Sequence, residues 1–231
     1  MDIKVFLNLK AEEYNNSSFI KDDPIQIPHL FNKKEDIEIS GFLTSTISWG
    51  NRKSIITSSI KMMKLMDNDP HNFIINHSEK DLKKLLKFVH RTFNGYDFIQ
   101  FITSLRHIYI NYGGLEKVFA ENIKNQSMHN SIHEFKKIFF EIPHTDRTKK
   151  HVSDPFKGSA SKRINMFLRW MVRKDTSGVD FGIWNKISTS ILSCPLDTHT
   201  LRIALDLNLV SRRQNDIKTL IQLDSKLRLF D

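Results

Sequence analysis

Apolar residues recur at three- and four-residue intervals through most of the chain, the period of an α-helix with one buried face. Ile3, Phe6, Leu7 and Leu9 mark a short amphipathic helix over 2–14, which needs a packing partner to be stable. Pro24 and Pro28 break the stretch 15–34 into irregular structure. Segments 35–49 and 51–66 read as two helices around a break at Gly50-Asn51. Ser78-Glu79-Lys80-Asp81 has the form of a capping box opening a helix over 81–88. The strongly apolar 97–112 stops at Gly113-Gly114. Ser131-Ile132-His133-Glu134 has the capping-box form again, ahead of 135–142. The polar stretch 143–155 reads as a loop or a crossing between lobes, and helical patterns follow over 159–174, 180–188, 198–209 and 215–229. The pattern predicts an all-α fold, either one domain over 1–231 or two interlocked helical lobes that cross near 143–155.

Composition supports that picture and narrows the setting. Only 8 Gly and 6 Pro in 231 residues leave long uninterrupted segments, and 17 Phe can fill a sizeable core. The single cysteine, Cys194, excludes an intrachain disulfide and any all-cysteine metal or iron–sulfur site. No run approaches the ~20 apolar residues of a membrane span, so a cytoplasmic location, associated with the nucleoid, and no membrane partner are expected. A formal charge of +9 favours a polyanionic partner.

The chemistry concentrates between Pro155 and Arg202. Lys157-Gly158-Ser159-Ala160-Ser161-Lys162-Arg163 places a Gly-led turn at a helix start with a lysine in the first helical turn. Ile164, Phe167, Leu168, Met171 and Val172 make the buried stripe of that helix, leaving Lys162, Asn165, Arg169 and Arg173 on the polar side. The segment has six basic residues and no acidic one between Pro155 and Lys174. Exposed backbone N–H groups at such a start suit a phosphate, although a basic solvent-facing helix gives the same pattern. Thirty-five positions after Lys162, Asp197 precedes a second helix. It is an ordinary N-cap residue, and a carboxylate there can also activate an amine or water.

These residues carry a resemblance. Gly158-Ser159-Ala160-Ser161-Lys162-Arg163-Ile164-Asn165 resembles the hairpin-to-helix junction of helix-hairpin-helix DNA glycosylases, and Leu196-Asp197-Thr198-His199-Thr200-Leu201-Arg202 resembles their aspartate segment. Ala160 stands where such hairpins carry a second glycine, and the insertion 176–192 lengthens the lysine–aspartate spacing toward the archaeal 8-oxoguanine glycosylase type. Asp23-Pro24-Ile25-Gln26-Ile27-Pro28-His29, Ser48-Trp49-Gly50-Asn51-Arg52 and 157–173 also resemble an uncharacterised bacterial family within or beside that superfamily, over nearly the whole chain. The resemblance implies a bundle of about nine to eleven helices and a DNA-repair glycosylase/AP lyase. Lys162 would be the Schiff-base nucleophile and Asp197 the assisting carboxylate. It further implies Lys157, Gly158, Ser159, Arg163, Arg169, Arg173 and Arg202 as DNA-binding residues. Ser48, Trp49, Asn51, Arg52 and His199 are candidates for the base pocket. The implied partner is double-stranded DNA with a damaged or abasic nucleotide, bound by a monomer without cofactor or metal.

The alternative is a non-catalytic helix-hairpin-helix protein that binds nucleic acid, a truncated or inactive member that keeps the charge and loses the chemistry. His144, Asp146 and His151 on the polar stretch are read as solvated rather than as a metal site.

Overall fold

The computed structural model describes residues 2–174 and 176–230. Its described residues form eleven α-helices and one two-stranded hairpin. They are α1 (Ile3–Tyr14), α2 (Lys34–Thr46), α3 (Arg52–Leu65), α4 (Pro70–Asn76), α5 (Glu79–Leu85), β1 (Val89–His90), β2 (Phe93–Asn94), α6 (Gly95–Tyr112), α7 (Leu115–Glu121), α8 (Met128–Phe139), α9 (Lys162–Val172), α10 (Thr198–Asp206) and α11 (Ile217–Leu227). The fold is all-α, as the 3.6-residue pattern predicted.

Helix α2 is the hub: every residue from Asp36 to Thr46 is buried. It packs against α3, α4 and α9. Gly41 permits the closest of these approaches, because a Cβ there would stand 3.2 Å from Met171 Cε of α9 and 3.5 Å from the Phe167 ring. Phe42 meets the rings of Phe101, Phe135, Phe139 and Phe167 within 6 Å, so the phenylalanine-rich core converges on this helix. A second, smaller apolar cluster joins Ala160, Leu196, Leu201, Ala204, Leu209, Val210, Leu220 and Leu223. Helix α9 belongs to the large cluster from Ile164 onward, while Ala160, just before it, belongs to the small one. The first turn of α9 thus lies at the seam.

Several local expectations change. The helix expected over 180–188 does not form. There Phe181 N donates to Trp170 O at 2.8 Å and Trp184 N to Met171 O at 2.9 Å, so the backbone serves the end of α9 instead of its own ladder. Gly182, with φ +56°, makes the bend, and Val179, Trp184 and Ile187 sink into the core. The helix expected at 135 begins a full two turns earlier, with Ser127 as N-cap through a 3.2 Å bond from His129 N. Ser131 is interior to it and donates to Phe119 O at 2.6 Å, linking α8 to α7. Ser78 and Asp81 do form a reciprocal capping box. Asn165 is not on a polar face: it is buried, and its Nδ2 donates to Ala160 O at 3.0 Å across the turn.

The polar stretch 143–155 is exposed at Pro143, Thr145, Asp146, Arg147 and Lys150, yet it is pinned to the core. Asp97, fully buried at the start of α6, accepts from Arg147 Nη1 at 2.6 Å and from Thr148 Oγ1 at 2.8 Å. Charge-assisted bonds of this kind in a dry setting fix a loop firmly. Helices α4 and α7 and the β hairpin lie in segments too short for periodicity to reveal.

Candidate functional site

The turn ahead of α9 is built from within. Buried Asp154 accepts Phe156 N at 3.0 Å through Oδ1, and its carbonyl accepts Lys157 N and Ser159 N. Gly158 sits at φ +87°, a left-handed position with open space around its missing side chain, which glycine adopts at least cost. Its carbonyl accepts Ile217 N at 3.0 Å, tying the turn to α11. Ser161 is left-handed too, at φ +49°, and does not cap α9 with its side chain. The first N–H groups of α9 therefore have no side-chain cap, the condition in which a helix start accepts an anion.

Asp197 takes the capping role that its position predicts. Its Oδ1 accepts His199 N and Thr200 N, each at 3.0 Å, which makes it the N-cap of α10. The capping bonds hold the side chain in one orientation, and in that orientation Oδ2 lies 3.9 Å from Lys162 Nζ. Two helix starts, 35 positions apart in sequence, are thereby brought together.

The pair opens into a cleft of about 640 Å³ lined by Asp23, Ser48, Trp49, Arg52, Lys162, Arg163, Met166, Asp197 and His199, among others. Burial pushes the Lys162 ammonium below its ordinary pKa, against the upward pull of Asp197 and Asp23; Arg163 and Arg52 add to the depression. The only hydrogen bond that Lys162 Nζ makes among the described residues is a weak one to Met166 Sδ, at 3.7 Å. Asp197 responds in the opposite sense. Burial raises its carboxyl, but the Thr200 N–H, the Lys162 charge and the His199 N–H together hold it below the usual range. Asp23 is pushed upward by burial, against its bond from Ile25 N and the nearby charges of Arg52 and Lys162. The arrangement biases the amine toward its neutral form beside a carboxylate held ionised, the direction that favours a nucleophilic lysine.

Trp49 is half-buried and forms the apolar wall. Arg163 lies over its ring with Cζ 4.8 Å from the centroid, and His151 stacks near it at 6.1 Å. The Arg163 guanidinium is held by the Thr46 and His151 carbonyls, and burial lowers its pKa to about 10. Arg163 thus braces the tryptophan from inside. Burial likewise lowers His151 to about 4, against the attraction of Asp97, so the ring stands neutral beneath Trp49.

The other expected residues divide between this cleft and elsewhere. Ser48 lines the cleft, but its hydroxyl donates to Thr44 O at 2.8 Å. Asn51 is the N-cap of α3, accepting Ser54 N at 3.2 Å, and is not among the lining residues. Lys157 and Gly158 are exposed at the turn, and the Ser159 hydroxyl turns inward to accept Ser161 N. Arg202 is exposed on α10. Arg169 and Arg173 face a different cavity, of about 470 Å³, bordered by Cys194, Asp224 and Arg228. Both lie within 3.1 Å of Asp180 Oδ2. They anchor the segment in which apolar spacing predicts a helix.

Asp23 and Met166 were not among the expected site residues. Met166 falls one helical turn after Lys162, a spacing that would have placed it beside the amine. Asp23 enters from a remote segment, and only the fold brings it there. His144, Asp146 and His151 do not converge: His144 Nδ1 meets Ile142 O, Asp146 pairs with Lys149, and His151 is buried near Asp97. Among the described residues no group of three or more His, Cys, Asp or Glu side chains is placed to hold a metal ion. No described helix is long and apolar enough to cross a membrane.

A family model described as "Protein of unknown function (DUF2400)" matches residues 23–231, the span that carries the cleft, the hairpin and both helix starts. No curated protein and no solved structure matches the chain. On that match over nine-tenths of its length, the chain belongs to the DUF2400 family.

Proposed function

We propose that the protein is a DNA-repair glycosylase/AP lyase of helix-hairpin-helix type, with Lys162 as nucleophile and Asp197 as the carboxylate that assists it. The observation that carries this reading is the 3.9 Å approach of Lys162 Nζ to Asp197 Oδ2 at the floor of a cleft walled by Trp49. An extruded nucleotide would place its base against the tryptophan. The neutral amine attacks C1′, and the glycosidic bond breaks with its electron pair on the departing base. Asp197 accepts the proton that the attacking nitrogen sheds and faces the positive charge that develops on the sugar. Ring opening gives the iminium, from which loss of the C2′ proton expels the 3′ phosphate. Water then hydrolyses the imine and frees the lysine.

Asp197 is suited to this role because its capping bonds keep one oxygen fixed while the other faces the amine. The uncapped first turn of α9 and the exposed Lys157-Gly158 turn would hold a phosphate beside the lesion. Borohydride trapping on a duplex with one abasic site tests the reading. A covalent adduct that Lys162→Gln abolishes is expected. No adduct, or the same adduct from both proteins, would refute the lysine mechanism and leave a glycosylase in which Asp197 activates water, or a non-catalytic nucleic-acid-binding protein.

A further inference from the structure

Helix α3 begins at the cleft, since Arg52 at its start is one of the lining residues. Its sequence, Arg52 to Leu65, holds four basic residues and no acidic one. Ile55, Ser59, Met62 and Met63 are its buried side. Lys53, Thr57, Lys61 and Lys64 follow at intervals of four, four and three, which puts them in one row on the opposite side, and all four are exposed. The row from Lys53 to Lys64 is about 16 Å long at the ordinary helical rise.

The β1–β2 hairpin extends this row laterally. Its turn carries Arg91, exposed and left-handed at φ +53°. The Arg91 side chain lies against the cleft's own Gly50: a Cβ on that glycine would stand 2.6 Å from Arg91 Nη1. The hairpin is fastened on both sides, by His90 Nδ1 to Ser58 Oγ at 2.8 Å and by Arg147 Nη2 donating to Thr92 O at 3.0 Å. Lys61 leans over Phe88 just ahead of it, 5.9 Å from the ring centroid. Lys84 on neighbouring α5 differs, because Asp81 neutralises it at 2.7 Å. None of Lys53, Lys61, Lys64 and Arg91 has a carboxylate within ion-pair distance among the described residues.

We infer that this row and the Arg91 turn form a second phosphate-binding surface, which grips duplex DNA where α3 and the hairpin border the cleft. Exposed cations on a rigid mount suit the phosphates of a duplex, and none of these charges has a carboxylate partner among the described residues. The surface is separate from the basic face of α9. The inference rests on the proposed DNA substrate, and it assigns part of that substrate's backbone to α3 and the hairpin.

The test compares Lys53→Gln/Lys61→Gln/Arg91→Asn with a control that removes the same charge elsewhere, Lys4→Gln/Lys117→Gln/Lys137→Gln. Binding to an abasic 25-mer duplex and to the matching single strand is measured from low to moderate salt, with circular dichroism verifying the fold of each variant. The expected result is a duplex slope of log K against log salt that falls by about 0.9 for each phosphate the variant no longer neutralises, with wild-type behaviour from the control. A slope unchanged from wild type, or reduced equally in the control, overturns the inference. Borohydride trapping on the wild-type protein separates the two proposals. An adduct dependent on Lys162 with an unchanged slope sinks only the α3 surface. A reduced slope without any adduct sinks only the lyase and keeps the surface.

Discussion

Two lysines in this protein each stand beside two carboxylates, and they are held in opposite ways. Lys34 bonds to Glu116 Oε2 and lies 3.9 Å from Glu38 Oε1. Burial lowers its pKa, but the hydrogen bond it donates to Glu116 and the charges of Glu38 and Glu116 outweigh it, so the ammonium is stabilised. Its carboxylates are occupied as well: Glu38 accepts Tyr109 Oη at 2.6 Å and Trp184 Nε1 at 2.7 Å, and Glu116 accepts Lys186 N at 3.1 Å. Around Lys162 burial wins instead, and the amine has no close carboxylate bond. The same residue types give a structural clasp where donors and acceptors are matched at bonding distance. They give the proposed catalytic pair where burial is kept and the direct bond is not. The clasp joins α2, α6 and α7 to the 179–187 segment, while the proposed pair joins only the starts of α9 and α10.

That contrast can be broken most sharply at Lys162 itself. Lys162→Gln should lower lyase turnover by at least about three orders of magnitude, the usual scale for a lost nucleophile, in a single-turnover assay on abasic duplex. Folding should hardly change, because the side chain makes one weak bond. Asp197→Asn keeps the capping acceptor and removes the proton acceptor. It should cost about 10²- to 10⁴-fold in rate with the melting temperature nearly preserved; an equal loss of stability and rate would mark the carboxylate as a cap only.

Glu38→Ala should act in the reverse sense, on stability first. It leaves Trp184 Nε1 and Tyr109 Oη unpaired in a buried site, at a cost of about 3 kcal/mol or more in urea unfolding. Glu38 also makes stability pH-dependent. Burial raises its pKa from 4.5 to about 7, against the bonds from Tyr109 and Trp184. The folded state therefore holds this proton more tightly than the unfolded chain. The contribution is full below pH 4.5 and is lost as pH rises through about 7. Glu38→Gln should flatten that part of the stability profile.

Smaller effects should separate the two flanks of the reactive amine. Asp23 raises the pKa of Lys162 and Arg52 lowers it. Asp23→Asn should therefore move the acid limb of the pH–rate profile to lower pH, and Arg52→Gln should move it to higher pH. Shifts in the same direction would mean that neither acts through the amine. Gly158→Ala, at φ +87° with free space around it, should cost about 1 kcal/mol of stability, the least of these changes.

Periodicity and capping chemistry, which are local, made much of the architecture legible in the sequence. The helix spans of α1, α2, α3, α6, α9, α10 and α11 follow from apolar spacing, and the Gly113 stop is a left-handed C-cap at φ +76°. Lys162 and Asp197 were legible as helix-start residues because a turn glycine and a capping carboxylate leave marks in a few neighbouring positions. Where tertiary demand overrode local preference, the pattern misled. At 180–188 the chain gave up a helix to pair with the end of α9 and to bury Trp184. Within 143–155 the polar residues serve the buried Asp97.

By itself, then, the sequence determined an all-α chain, the positions where most of its helices other than α8 begin, and the two side chains that carry the candidate chemistry. The tertiary structure alone decided that Oδ2 of Asp197, rather than Oδ1, faces the amine, and that Asp23 and Met166 complete the cleft. It also decided that Arg169 and Arg173 border another cavity. The reason is physical. Helix starts are set by bonds within a few residues, whereas burial, and the pKa of an amine within it, depends on which distant segments pack around it.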